Sequence, residues 1–153
     1  MSKFAEGTEV SAEKSRAEIE TLLRRYGADQ FVSGWDAGKA QIGFRVKERF
    51  VKFVLPLPDP SDKAFTHQSH HSWKVRSAES ATKAYEQAIR QRWRALALVV
   101  KAKLEAVETG ITTFEEEFMA HIVMPDGKTV GEHARPWIED AYNKKQVPAL
   151  MGW

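Results

Sequence analysis

Two runs with a strict period of two, parted by only a tight turn, constrain this chain more than any other feature. Ala40, Ile42, Phe44 and Val46 alternate with Gln41, Gly43, Arg45 and Lys47. After a turn near Lys47-Glu48, Val51, Phe53 and Leu55 alternate with Phe50, Lys52 and Val54. Successive residues of a strand point to opposite faces, so each run reads as a half-buried strand. Upstream, residues 31–35 read as a further strand, and Asp36-Ala37-Gly38-Lys39 supplies the turn chemistry that follows it. Spacing this close leaves no room for the crossover that parallel pairing needs, so the three strands form an antiparallel meander. One face is apolar and must be covered; the other carries Arg45, Lys47 and Lys52.

The covering elements are legible at helical spacing. Ile19, Leu22, Leu23 and Tyr26 share one face of a helix over residues 12–26, with Ser11 as N-cap and Gly27 at the C-terminal stop. Ile89, Trp93, Leu96, Val100, Leu104 and Val107 trace a stripe along one long helix from about Ala78 to Thr109, capped by Ser77 and ended by Gly110. Thr113-Phe114-Glu115-Glu116 fits a capping box whose helix buries Phe114, Phe118 and Ile122. Thr129-Val130-Gly131-Glu132 opens another, with Val130, Ala134, Trp137 and Ile138 inward and Pro136 as a kink or break. Pro56, Pro58 and Pro60 stop the third strand, and residues 56–77 are expected to form a long polar loop. The expectation is a single α+β domain over residues 11–153, preceded by a flexible N-terminus at 1–10. It consists of an N-terminal helix, the meander, a long helix packed on the sheet and two short C-terminal helices.

Composition narrows the chemistry. Among 153 residues there is no cysteine, which removes disulfides, thiolate metal sites and a cysteine nucleophile. No apolar run reaches the length of a membrane span and the first residues lack the apolar core of a signal peptide, so a cytoplasmic protein without membrane contact is expected. Phosphate-loop, dinucleotide, serine-hydrolase and zincin motifs are all missing, and no cofactor is implied.

The net charge of +2 conceals a strong segregation. Residues 39–103 hold 14 basic and 5 acidic side chains, a net of +9, whereas residues 104–142 hold 2 basic and 9 acidic, a net of −7. Arg45, Lys47, Arg49 and Lys52 lie in the meander, and Arg90, Arg94 and Lys101 recur at helical spacing on the long helix. Such cations displace the counterions of a phosphate backbone without reading sequence, and Phe50 among them offers a base-stacking surface. The ordinary alternative is a solvated basic face, or basic and acidic patches that pair within or between chains.

Other constellations carry less. His67, His70 and His71 are the one potential metal cluster, weak because they sit in a polar segment with no close carboxylate. Glu115, Glu116 and Glu117 open a helix, where carboxylates complement the macrodipole. His121 and His133 read as helix-surface or partly buried residues. Trp93 and Trp137 lie on helix stripes and belong to a core; Trp35, Trp73 and Trp153 are candidates for anchoring or docking.

Residues 92–96 and 101–108, with Thr113-Phe114-Glu115-Glu116-Glu117-Phe118 and Pro125-Asp126-Gly127-Lys128-Thr129-Val130-Gly131-Glu132, resemble small proteins of phages and prophage regions. Tyr26-Gly27-Ala28 and residues 53–58 belong to the same resemblance, which implies a setting and no activity. The order helix, three-stranded meander, long basic helix is similar in topology to single-strand annealing proteins, which form rings or filaments on DNA. The combined expectation is a non-enzymatic, homo-oligomeric nucleic-acid-binding protein. It would be a phage recombination or single-strand annealing accessory that favours single-stranded DNA and is assembled through its acidic helices. The alternative is a phage-encoded interaction module, an adaptor or inhibitor of a host protein that docks through the acidic helices or the apolar tail. An enzyme ranks third, needing a pocket built from distant residues such as His121 or His133 with a carboxylate.

Overall fold

A computed structural model describes residues 4–68 and 71–148, with Ser72 through its backbone alone. The architecture is α+β. Helix α1 spans Ala12–Tyr26, strands β1, β2 and β3 span Gln30–Asp36, Lys39–Val46 and Arg49–Pro56, and the long helix α3 spans Ala78–Glu108. Between β3 and α3 lie a short helix α2, Lys63–Thr66, and a ribbon of β4, His67–Gln68, with β5, His71–Val75. The C-terminal part holds α4, Phe114–Phe118, a 3₁₀ turn at Met119–His121, and α5, Val130–Lys144.

The sheet runs β1-β2-β3, antiparallel throughout. Ala40, Ile42, Phe44 and Val46 are all buried, as are Val51 and Phe53, so the period of two becomes an inner and an outer face. α1 and α3 pack on each other and on the inner face, leaving its Trp35 end open: Ile19 and Leu23 from α1 meet Trp93, Leu96, Ala97, Val100 and Leu104 from α3 in one core with the sheet. Ser11 accepts the Lys14 N–H, and Gly27, left-handed at φ 108°, ends α1 with N–H bonds to the Arg24 and Leu23 carbonyls. Ser77 caps α3 on the Ser80 N–H.

Phe118 locks the C-terminal part to this core. It is fully buried, with its ring edge-on to Phe44 and Phe53 at 5.9 and 6.2 Å. The chain then turns extended at Ile122, which bridges Val51, while the Val123 N–H donates to the Phe50 carbonyl at 2.8 Å. These residues cover part of the outer edge of β3. The helix over Phe114, Phe118 and Ile122 is thus shorter than its apolar spacing implied, because Ile122 reaches the core from extended backbone.

Several expectations are corrected. Residues 56–77 are not one polar loop; they fold into α2 and the β4–β5 ribbon, whose polar sequence hid the pairing. Residues 4–10 are tied to α3, with Gln87 Nε2 donating to the Thr8 carbonyl and Gln91 Nε2 to the Phe4 carbonyl. α5 runs through Pro136, held at its start by a full Thr129–Glu132 capping box. It buries no residue completely, and Ile138, expected inward, is 46% exposed because α5 packs mainly against the Met119–His121 turn. Trp137 is half-buried and donates from Nε1 to the Pro148 carbonyl. Trp73 is exposed and anchors nothing by burial. Trp153 lies outside the described residues.

Candidate nucleic-acid interface

Strand register fixes which side chains share the outer face. Pairing partners across an antiparallel sheet lie on one side, so Gln30, Arg45 and Phe50 form one row, Val32, Gly43 and Lys52 the next, and Gly34, Gln41 and Val54 a third. Among the described residues no helix residue lines the hollow on this face, and Val32, Phe50 and Val54 remain 69, 46 and 49% exposed. Two glycines remove side chains from the middle rows. A Cβ at Gly34 would enter open space, and one at Gly43 would come within 3.2 Å of Val32 Cγ2. The outcome is a shallow hollow of about 410 Å³ with Gly43 in its middle row and Val32, Gln41, Phe50 and Lys52 around it.

Arg45 stands at the edge of this hollow with its guanidinium 5.6 Å from the Phe50 ring centre. It also grips Asp29 with both forks, Nε to Oδ1 at 2.9 Å and Nη2 to Oδ2 at 2.6 Å. That hydrogen bonding holds the Asp29 carboxyl below its ordinary range. The pairing holds the Arg45 guanidinium against the Phe50 ring. Lys52 and Lys47 make no ion pair among the described residues, and the Lys52 charge acts at longer range on Glu132 of α5. Lys47 sits in the β2–β3 turn beside Glu48, and Arg49 approaches Glu115 of α4 at 3.8 Å.

The cations of α3 lie elsewhere. Because α3 covers the inner face, Arg90, Arg94 and Lys101 stand on the far side of the sheet from Arg45, Phe50 and Lys52. Arg94 pairs with Glu18 of α1, and Arg90 is turned onto Gln87 Oε1 by bonds of 3.1 and 2.6 Å. Lys101 is exposed. The eight residues expected to form one site are therefore split between two surfaces. The part that gathers is Arg45, Phe50 and Lys52, joined by Val32, Gly34, Gln41, Gly43 and Val54, which the sequence reading had not singled out. Gly34 and Gly43 were the available signal, since glycine inside a strand often marks a close approach.

A second hollow of about 630 Å³ lies between the Met119–His121 turn and α5, lined by Lys103, Glu117, His121, Arg135 and Ile138. Lys103 bonds Glu117 Oε1 at 3.1 Å, and the His121 ring stacks on Phe53 with centres 4.1 Å apart. Burial, with the Lys103 charge behind it, lowers the His121 pKa against a backbone bond to Lys52, favouring a neutral ring. His133 Nε2 meets Asp126 Oδ2 at 2.7 Å on the surface. Of the histidine cluster, His67 bonds Thr66 Oγ1, His71 leans on Trp73, and His70 lies outside the described residues. Among the described residues no group of three potential ligands is placed to hold a metal, and no helix is long and apolar enough to cross a membrane.

Comparison with family models, with curated proteins and with solved structures returns no match to this chain.

Proposed function

We propose that the protein binds single-stranded nucleic acid, without catalysis, across the outer face of its β1-β2-β3 sheet. The observation that carries this reading is the exposed Phe50 ring set beside Arg45 and Lys52 over a glycine-opened hollow. An aromatic ring on an open sheet stacks a base whatever its identity; Lys52 beside it supplies the phosphate contact, while Arg45, held by Asp29, backs the ring. Gln30 and Gln41 present amides that can donate to or accept from base edges. Lys47 at the hairpin tip continues the positive edge, while on the far side of the sheet Lys101 stays exposed and Arg94 is tied to Glu18. The role this fits is an accessory to strand annealing or recombination, in the phage setting that the resemblance implies.

Fluorescence anisotropy of a labelled single-stranded oligonucleotide against salt tests the reading. Phe50→Ala is expected to weaken binding roughly 5- to 150-fold, the worth of one base stack. Lys52→Glu is expected to lower the slope of log K against log salt by about 0.7 or more, one phosphate contact. No binding at low salt ends the proposal. Loss confined to Arg90→Glu with Arg94→Glu overturns the assignment to the sheet face.

One observation favours the rival reading of an interaction module. α5 has no fully buried residue and presents Tyr142 at 81% and Ile138 at 46% exposure, an amphipathic helix with an open side. That reading expects a stoichiometric protein partner that survives nuclease treatment and is lost on Ile138→Glu.

A further inference from the structure

The two outer edges of the sheet differ. On β3, Ile122 and Val123 supply a bridge and a backbone hydrogen bond. On β1, nothing among the described residues pairs with the free edge, and six of its seven residues are exposed. The two-residue turn between Asp36 and Lys39 closes on a hydrogen-bonded pair, so Gln30, Val32 and Gly34 spend their backbone groups on β2. Phe31, Ser33 and Trp35 then point N–H and C=O groups outward. Such an edge is ordinarily guarded by proline, lysine or a central bulge, and residues 30–36 contain none of these.

From this edge we infer that two copies of the chain pair through β1, antiparallel about a two-fold axis at Ser33. Three facts select this occupant and this register. Only with Ser33 opposite its own copy do all three outward residues of each strand meet outward residues of the other, Phe31 facing Trp35 on both sides of the axis. The same register sets Val32, 69% exposed, against Gly34, where an added Cβ would meet nothing within 4 Å. It also covers Trp35, 83% exposed at the uncovered end of the inner face, with an aromatic partner. Charge agrees: Asp36, the one ionised side chain of the strand, faces the neutral amide of Gln30 and never its own copy. The two three-stranded sheets merge into one continuous sheet with both outer faces on the same side. Because the β3 edge is partly covered, assembly closes at the pair. This assigns self-association to β1 in place of the acidic helices expected from charge, and it stands whether or not the sheet face binds nucleic acid.

Sedimentation equilibrium of the full chain without nucleic acid, with a cysteine cross-link, tests it. The sequence has no cysteine, so Ser33→Cys introduces the sole thiol, placed on the axis. Paired residues of this type hold their Cα atoms about 5.5 Å apart, within disulfide reach. Mild oxidation is expected to convert Ser33→Cys to a disulfide dimer, while Ile111→Cys, also exposed, on the loop before α4, stays mostly uncoupled. Ser33→Pro and Trp35→Lys are expected to give monomers with the helical circular dichroism of the parent. A parent that is monomeric up to about 100 µM overturns the inference, and so does a dimer that persists in both variants. Equal cross-linking at Ser33→Cys and Ile111→Cys also overturns it. Stacking lost in Phe50→Ala, by contrast, leaves the dimer intact, so failure of the nucleic-acid reading is distinguishable.

Discussion

The β2–β3 turn holds two non-glycine residues in left-handed backbone, Lys47 at φ 46° and Glu48 at φ 66°. This is the geometry of a two-residue turn whose twist matches the strands, and it favours Asn-Gly. An L-residue held there costs about 1–2 kcal/mol. Replacing Glu48 by Gly removes that cost, but glycine loses about 0.5–1 kcal/mol more on folding. Glu48→Gly is therefore expected to stabilise the fold by about 0.5–1 kcal/mol. For a chain of this length the melting temperature rises by about 1–4 °C. Glu48 also acts electrostatically on Arg45, so Glu48→Ala is the control: it removes the same charge, keeps the strained backbone, and should stay within about 0.5 kcal/mol of the parent. Urea unfolding followed by circular dichroism, with equal m-values checked, reads the difference. Glu48→Gly equal to or below the parent, or Glu48→Ala stabilised as much, refutes the strain argument.

Two further outcomes follow from the core. Phe118→Ala deletes a fully buried ring that bears on Phe44 and Phe53, and should cost about 3–5 kcal/mol in urea unfolding; a loss below about 1.5 kcal/mol would show that Phe118 does not join the two parts of the chain. The folded His121 pKa lies below its ordinary 6.5 because burial disfavours the charged ring. A depressed value means that stability is full above 6.5 and is lost as pH falls from there through the folded pKa. His121→Phe, which keeps an aromatic ring on Phe53, should lose less stability than the parent between pH 7.5 and 5; parallel curves would show that His121 is not desolvated.

The parts of the fold legible in the sequence are those where one local periodicity decides burial. Ala40, Ile42, Phe44 and Val46 are buried as alternation requires, and Trp93, Leu96, Val100 and Leu104 follow from helical spacing. Local pattern fails where a partner comes from far along the chain. Arg94 looks like part of a free basic stripe until α1 brings Glu18 beside it, and Arg45 until the bend before β1 brings Asp29. Segment-by-segment charge counting cannot see such pairs. Nor could it separate Arg45 and Lys52 from Arg90 and Lys101, because the sheet and α3 place them on opposite sides of one layer. Ile138 misled for another reason: α5 has a stripe of apolar spacing but little surface to bury it against.

That thin attachment of α5 has a kinetic side. A helix held mainly through a 3₁₀ turn, one isolated bridge between Val123 and Thr129 and the contact of its first residue Val130 with the core, with no side chain sealed from water, opens at little cost to the core behind Phe118. Gly131 sharpens the point, since a Cβ there would stand 2.9 Å from the Ala120 carbonyl: the joint closes only because that position carries no side chain. α5 is thus the unit of lowest opening free energy among the long helices, and its amides should exchange with solvent while those of α3 are still protected.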